Sequence, residues 1–133
     1  MPSNPVWKKS SRDTGRYATV LEMKVARNLE DYRVAFGYET MILPVTLPNG
    51  KRITYTPDFV IKPGFCIEAK GFLSRDDMIK FMAVSRQYPT LNLRFVFSNS
   101  KLQTHERERY STWAKRAGFP FTDVDAIPMS WFK

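Results

Sequence analysis

The chain has 133 residues, of which 43% are hydrophobic, so it can form one domain with a packed core. Its 21 Lys and Arg residues against 13 Asp and Glu residues give a net charge of +8, which favours a polyanionic partner such as nucleic acid. The single cysteine excludes an internal disulfide, and the single histidine argues against histidine metal centres and Ser-His-Asp catalysis. Without an apolar run of membrane-spanning length or a signal-peptide core, the expectation is a cytoplasmic protein that contacts no membrane.

Residues 1–16 combine proline, serine and basic side chains without any hydrophobic period. This composition predicts a flexible basic arm that becomes ordered on nucleic-acid phosphates, and the alternative is an ordinary frayed terminus. Residues 17–133 are expected to form a single domain. The basic residues of the arm that are candidate phosphate contacts are Lys8, Lys9, Arg12 and Arg16.

Residues 17–36 are predicted to form the first helix, because apolar residues recur there at helical spacing and Gly37 follows as a stop signal. Glu22 lies near the start of this helix. One interpretation is a favourable interaction with the helix dipole. The other is a carboxylate that reaches a metal site formed elsewhere in the chain.

A pair of alternating segments, 51–61 and 65–70, follows a predicted edge strand at 38–47 and a turn at 48–50. Alternation of period two predicts two half-buried strands, and Lys62-Pro63-Gly64 provides the turn between them. On this pattern Ile53, Tyr55, Phe59 and Ile61 share one face of the first strand. A three-residue loop would pair Ile61 with Phe65, Phe59 with Ile67 and Asp58 with Glu68, which places both carboxylates on the face opposite the core.

Two carboxylates that are neighbours across strands repel each other by up to ~1 kcal/mol. A cation between Asp58 and Glu68 would remove this repulsion, and carboxylate oxygens with water are the ligands that Mg²⁺ and Mn²⁺ prefer. Lys70 lies on the same face, where it could stabilise charge on a phosphate or help to deprotonate an attacking water. The alternative interpretation is an exposed polar strand face that carries Asp, Glu and Lys by chance.

The second half of the chain is predicted to contain a helix, a strand and a helix. Ser74 and Asp77 resemble a capping box at the start of a helix that ends near Tyr88, and residues 91–97 form a strongly apolar strand. A last helix is predicted at 104–117, with Gly118 as its cap. The complete order of elements predicts an α/β sandwich around one mixed sheet. The basic side chains of this region form a second candidate phosphate-contacting surface: Lys101, Arg107, Arg109 and Lys115.

Five short sequence pieces occur in order from residue 17 to the C-terminus. They are Leu21-Glu22-x-Lys24-Val25, Tyr55-Thr56-Pro57-Asp58-Phe59, Glu68-x-Lys70-Gly71, Arg94-Phe95-Val96-Phe97-Ser98-Asn99-Ser100 and Ile127-Pro128-x-x-Trp131-x-Lys133. In this combination the chain resembles the phage endonuclease I family, the Holliday-junction resolvases of the T-odd phages. That family belongs to the PD-(D/E)xK nuclease superfamily.

The resemblance implies a restriction-endonuclease-like α/β fold, with a mixed β-sheet flanked by helices. It also implies that Asp58, Glu68 and the backbone carbonyl of Ala69 bind Mg²⁺, with Mn²⁺ able to substitute. Lys70 would be the catalytic lysine, and Glu22 the fourth active-site residue. An intertwined, segment-swapped homodimer is implied too, in which Glu22 of one subunit joins the Asp58 hairpin of the other.

The function that the resemblance implies is a metal-dependent endonuclease that resolves four-way DNA junctions and other branched DNA in the cytoplasm of an infected bacterium. A symmetric dimer suits this function, because resolving a four-way junction needs two paired cuts on strands related by a twofold axis. One alternative is a sequence-specific restriction-like or transposon end-cutting nuclease. Another is a non-catalytic protein that binds DNA junctions.

Overall fold

The structure is a computed structural model that describes residues 17–62 and 64–133, together with the backbone of residues 6–7. The described residues form three α-helices: α1 (Val20–Asp31), α2 (Arg75–Gln87) and α3 (Tyr110–Ala117). Its strands are β1 (Val6–Trp7), β2 (Phe36–Tyr38), β3 (Met41–Thr46), β4 (Arg52–Tyr55), β5 (Phe59–Ile61), β6 (Phe65–Lys70), β7 (Leu93–Phe97) and β8 (Phe121–Asp123). Two 3₁₀ helices, Val124–Ala126 and Met129–Phe132, follow β8.

The main sheet has five strands in the order β2-β5-β6-β7-β8. Strands β2, β5 and β6 pair antiparallel, whereas β6, β7 and β8 pair parallel, so the predicted mixed sheet is confirmed. In the β5–β6 hairpin Phe59 faces Ile67 and Ile61 faces Phe65, as the alternating pattern predicted. A smaller antiparallel sheet has the order β1-β3-β4.

Both faces of the main sheet are covered. On one face α1 and the segment after β8 enclose a cluster that contains Val25, Leu29, Phe59, Ile67 and Ile127. On the other face α2, α3 and the small sheet enclose a second cluster, which contains Leu43, Tyr55, Phe81, Phe95 and Trp113. The prediction that β5 and β6 are half-buried is therefore wrong. Their second face carries Val60 and Cys66, which α2 and the small sheet cover.

The segment 51–61 is not one strand. Strand β4 belongs to the small sheet and β5 to the main sheet, and the chain leaves regular structure between them at Thr56-Pro57-Asp58. Pro57 has no N–H to donate to a strand ladder, which favours a break at this point. As a result Tyr55 packs into the cluster under α2 while Phe59 packs into the cluster under α1, so the prediction that they share a face is wrong.

The helices begin and end differently from the predicted ranges. Helix α1 starts after its N-cap Thr19, and the chain turns at Arg33, which has a φ of 57°, before β2 begins. Helix α2 begins with the predicted capping box of Ser74 and Asp77, and α3 ends at Gly118 with a φ of 85°, as predicted. However, α3 begins at Tyr110 rather than near Thr104. Residues 104–109 form a turn instead, in which Thr104 N–H donates to the Glu108 carbonyl.

The remaining differences concern short strands. The predicted strand 38–47 corresponds mainly to β3 in the small sheet, and only its first residue, Tyr38, belongs to β2 in the main sheet. Strand β8 had no predicted counterpart. Val6–Trp7 pairs with Met41–Ile42, and the rest of the predicted basic arm lies outside the described residues. Within the described ranges no helix is both long and apolar enough to span a membrane.

Replacement of Phe59 by alanine should strongly destabilise the fold. The ring is fully buried and lies 5.5 Å from the Phe36 ring and 5.4 Å from the Tyr38 ring, so truncation leaves a cavity. We expect Phe59→Ala to lower the free energy of unfolding in urea by about 3–5 kcal/mol. The matched control is Phe72→Ala, whose ring is 74% exposed. A change there larger than about 0.5 kcal/mol would contradict this account of the core.

Candidate active site

The β5–β6 hairpin brings the first two acidic groups together. Asp58 immediately precedes β5, and its Oδ2 accepts a hydrogen bond of 2.8 Å from the backbone N–H of Ala69. Glu68 precedes Ala69 in β6, and its negative charge adds to burial in raising the pKa of Asp58. The predicted meeting of these two carboxyl groups is therefore present. The hairpin register produces this meeting. Phe59 faces Ile67, so Asp58, one residue before Phe59, faces Glu68, one residue after Ile67.

Glu68 is only 6% exposed, because its face of the sheet is covered. The Tyr55 hydroxyl, at the end of β4, donates a hydrogen bond of 2.5 Å to Glu68 Oε1. Burial, and then the charge of Glu68, raise the pKa of Tyr55 well above its usual range, so the hydroxyl keeps its proton and remains a donor. One oxygen of Glu68 is thereby fixed by the small sheet.

Glu22 approaches the same site from α1 and is also 6% exposed. Thr19 Oγ1 donates to its Oε2 at 2.8 Å, and the Tyr38 hydroxyl donates to its Oε1 at 2.5 Å. Because Glu22 follows the N-cap of α1, its position also suits the helix dipole. The carboxylate of Glu22 thus lies at a helix start and near that of Asp58, and its role at a metal site stays a prediction.

Glu39 is a third acidic residue near Asp58, and the sequence did not predict its position there. Carboxylate oxygens of Glu22, Glu39 and Asp58 all lie within 4.8 Å of one another. Glu39 has a φ of 52° in the turn after β2, and its N–H donates to the Asp58 carbonyl at 3.0 Å. No periodic pattern marks a single glutamate in a turn, so only the folded chain shows that it faces the site.

Lys70 supplies the positive charge at the end of β6. Its Nζ lies 3.4 Å from Asp77 Oδ2 and 5.6 Å from the centre of the Phe81 ring, both on α2. The charge of Lys70 lowers the pKa of both Asp58 and Glu68, which opposes the effect of their burial. The structure thus brings together the four predicted active-site side chains, Glu22, Asp58, Glu68 and Lys70.

The two hairpin carboxyls carry an unfavourable electrostatic energy when no cation is bound. Burial raises the pKa of both groups, and for Asp58 the charges of Glu68 and Glu22 raise it further. Protonation of either group reduces this cost in the metal-free protein. A divalent cation would reduce it as well, by replacing the proton and attracting both ionised groups.

The donor set fits a hard divalent cation. It consists of carboxylate oxygens, and each carboxylate of the hairpin uses one oxygen in a hydrogen bond with the protein and so has the other as a candidate ligand. Carboxylate oxygens of Glu22 and Glu39 lie within 4.8 Å of one on Asp58, and the hairpin register places Glu68 across from Asp58. The backbone carbonyl of Ala69 as a further ligand remains a prediction.

The predicted phosphate-contacting residues divide into two groups. Lys8, Lys9, Arg12 and Arg16 lie outside the described residues. The others are all exposed, with Lys115 on α3 and the remaining three in the loop that leads from β7 to α3: Lys101, Arg107 and Arg109. This loop starts beside the site, because the Ser98 N–H donates to the Lys70 carbonyl.

A mixed sheet with buried carboxylates and a lysine at the end of one strand is suited to metal-assisted hydrolysis. Comparison with known proteins identifies the family. The family model of phage endonuclease I matches residues 4–133. The chain is 34% identical to Endonuclease I of Escherichia phage T7 over 127 residues, which cover 94% of this chain and 84% of the relative. It is 36% identical to Endodeoxyribonuclease 1 of Enterobacteria phage T3 over 115 residues, which cover 85% and 74% respectively. The chain belongs to the phage endonuclease I family.

Replacement of Asp58 by asparagine should stabilise the metal-free protein at alkaline pH. The folded-state pKa of Asp58 is raised, so above about pH 4 the folded protein binds more protons than the unfolded chain, and its stability falls as the pH rises. Asparagine removes this charge and still offers an oxygen to the Ala69 N–H. In EDTA at pH 8, Asp58→Asn should raise the free energy of unfolding by at least about 1.4 kcal/mol, the equivalent of one pKa unit.

The control for this measurement is the same denaturation at pH 4, where the difference should disappear. Asp125→Asn, which replaces an exposed carboxyl, should give no such pH-dependent difference. Equal stabilisation by Asp58→Asn at both pH values would contradict the electrostatic explanation.

Proposed function

We propose that this chain is a metal-dependent deoxyribonuclease that resolves four-way junctions and other branched DNA by paired hydrolysis of phosphodiester bonds. Deoxyribonuclease activity follows from membership of the phage endonuclease I family. The observation that carries the proposal is the meeting of Asp58, Glu68 and Lys70 at the end of β6, with Glu22 beside them. The proposed superfamily is that of the PD-(D/E)xK nucleases.

Asp58 and Glu68, with the Ala69 carbonyl, would hold Mg²⁺ or Mn²⁺. When bound, this ion supplies polarisation of the scissile phosphate and a lower pKa for bound water. Tyr55 holds Glu68, and the Ala69 N–H holds Asp58, in fixed orientations before any substrate arrives. Lys70 would bind a phosphate oxygen and offset the negative charge that develops during hydrolysis.

Glu22 is proposed to act together with Asp58, because the carboxylate oxygens of the two residues lie within 4.8 Å of each other. Thr19 and Tyr38 each donate to one of its oxygens, so the side chain is fixed in a single orientation. Burial, and then the hydrogen bond to Glu22, raise the pKa of Tyr38, which therefore remains a donor. A fixed carboxylate at this position would help to orient water or a second cation next to Asp58.

DNA would approach the end of the sheet at which β6 and β7 finish. Lys70 and Phe97 are register partners there, and the basic loop containing Lys101, Arg107 and Arg109 continues from β7. Basic side chains around an active site contact phosphates and position a duplex without reading its bases. Such contacts suit recognition of branched DNA by its shape.

A homodimer would place two such sites on strands related by a twofold axis, as paired cuts at a junction require. Within one chain the structure already brings Glu22 next to Asp58. Exchange of segments between subunits would form the same contact between two chains. The proposal therefore includes a dimer. Exchange of segments between its subunits is tested by the mixed-dimer experiment that ends this subsection.

Junction cleavage is the first test. A labelled four-way junction and a linear duplex of the same sequence are incubated with the protein in Mg²⁺ or in EDTA. We expect paired cuts near the branch in Mg²⁺, no cuts in EDTA and an intact linear duplex. Lys70→Ala and Asp58→Ala should lower the cleavage rate by at least about 100-fold, because each removes a charge that acts during hydrolysis, while junction affinity stays within a few-fold.

Two other results would replace this proposal. Sequence-specific cutting of the linear duplex would identify a restriction-like or end-cutting nuclease with the same site. Junction binding without cleavage by the wild-type protein would identify a non-catalytic junction-binding protein. Equal loss of binding and cleavage in Asp58→Ala would assign Asp58 a structural role.

Mixed dimers distinguish the two ways of assembling the site. Glu22→Gln and Asp58→Asn subunits, each inactive alone, are co-expressed with different tags and the mixed dimer is purified. If Glu22 of one subunit serves the hairpin of the other, one site contains both changes and the other is intact. The mixed dimer should then nick one junction strand. Complete inactivity of a stable mixed dimer would show that each site is built within one chain.

A further inference from the structure

Phe72 is an exposed aromatic residue that follows strand β6 closely. All ten phenylalanines of the chain lie in the described ranges, and only Phe72 is exposed, with a ring that is 74% open to solvent. A single exposed apolar side chain is common on protein surfaces and needs no function by itself. The position of this one is informative, because Phe72 is two residues from Lys70 and their Cα atoms are at most about 7 Å apart.

The backbone on both sides of Phe72 is fixed by the core of the domain. On one side, the Lys70 carbonyl accepts from the Ser98 N–H at 3.3 Å, which joins the end of β6 to the end of β7. On the other side, Leu73 is 1% exposed, and its N–H donates to the hydroxyl of the buried Tyr110 at 3.1 Å. Phe72 therefore lies between two anchored neighbours. An aromatic ring on such a support has only its two side-chain torsions to fix when it binds a ligand.

Exposed basic side chains adjoin the Phe72 segment. Tyr110, which accepts from the Leu73 N–H, donates its own N–H to the Leu102 carbonyl at 2.8 Å, so it joins this segment to the loop that follows β7. The exposed basic residues of that loop and of the start of α2 are Lys101, Arg107, Arg109 and Arg75. A ligand that combines a flat apolar face with phosphate groups would suit these side chains, and an unstacked nucleotide has both.

A branch point is where duplex DNA offers such a nucleotide most readily. Each base within a continuous duplex is stacked between two neighbours, so an aromatic ring can contact its face only after that stacking is broken. Base pairs at a branch lie at the ends of their arms, and opening them costs less than opening a base pair inside a duplex. Stacking on an aromatic ring accepts any base, which suits recognition of a branch whatever its sequence.

We propose that Phe72 is a specificity-determining residue, which stacks on an unstacked base at a branch point and so favours branched DNA over a continuous duplex. This inference rests on the proposed function and deepens it, because it names the side chain that selects the substrate of the same site. The separation of Phe72 from Lys70 corresponds to roughly two steps of 3.4 Å along a DNA strand. The stacked base therefore lies within about three nucleotides of the bond that is cleaved.

The first test measures binding in EDTA, without cleavage, of a four-way junction and of a linear duplex of the same sequence. Phe72→Ala should weaken junction binding about 5- to 150-fold, the range for the loss of one base stack, and leave duplex binding unchanged. Phe72→Trp keeps an aromatic ring and should keep the preference for the junction. The control is Met129→Ala, which removes an exposed apolar side chain near Trp131, whose ring packs on Phe65 at the opposite end of β6. This control should change neither affinity.

A cycle between the residue and the base shows whether Phe72 acts by stacking. In a series of junctions, each nucleotide within about three positions of the branch is replaced in turn by an abasic one, which offers nothing to stack on. At one position the abasic change should weaken binding by the wild type, and adding Phe72→Ala should then cause no further loss. A general effect of Phe72 on the fold would instead add its full loss at every position.

Losses that multiply at every abasic position would overturn the inference. So would dissociation of the dimer by Phe72→Ala in sedimentation experiments at the assay concentration, because the ring would then be covered by a second subunit. A wild type that neither binds nor cleaves the junction in preference to the duplex would refute the proposed function and this inference with it. A wild type that prefers and cleaves the junction, beside a Phe72→Ala variant of equal affinity, would refute only the inference.

Discussion

Two carboxyl groups, those of the buried Glu68 and the partly buried Asp58, are held close together, and the arrangement of the site depends on this constraint. An isolated pair of this kind is unfavourable, because burial and mutual repulsion both oppose ionisation. Each group is compensated by a fixed donor, the Ala69 N–H for Asp58 and the Tyr55 hydroxyl for Glu68. The remaining energetic cost is the driving force with which such a site would bind a divalent cation.

The elements around the hairpin are arranged so that each adds a group to this pair. Helix α1 adds Glu22, the turn after β2 adds Glu39, β4 adds Tyr55, and α2 adds the carboxylate that holds Lys70. These contributions arrive from both faces of the main sheet, since α1 packs on one face and α2 with the small sheet on the other. A sheet covered on both faces therefore protects the carboxylates from water, while the ends of β6 and β7 provide the approach for DNA in the proposed function.

The tyrosines show how the hydrophobic core and the site are connected. Tyr55 packs against Phe81 in one cluster and donates to Glu68, and Tyr38 packs against Phe59 in the other and donates to Glu22. Aromatic rings with a polar end can fill a core and still orient a charged group at its boundary. The two glutamates are thus positioned by residues whose own orientation is fixed by packing.

The sequence by itself determined the local features whose causes lie within a few residues. The register from Phe59 to Ile67, the capping box of Ser74 and the left-handed end of α3 at Gly118 all follow from alternation or from backbone preferences, and the spaced motifs identified the family. The tertiary structure decided which distant groups meet. Pro57 separates two strands that enter different sheets, so Tyr55 and Phe59 face opposite clusters despite a shared alternation. Glu39 and Asp77 carry no signal of their own, because a carboxylate in a turn or a helix cap looks the same whether or not the fold places it beside Asp58 or Lys70.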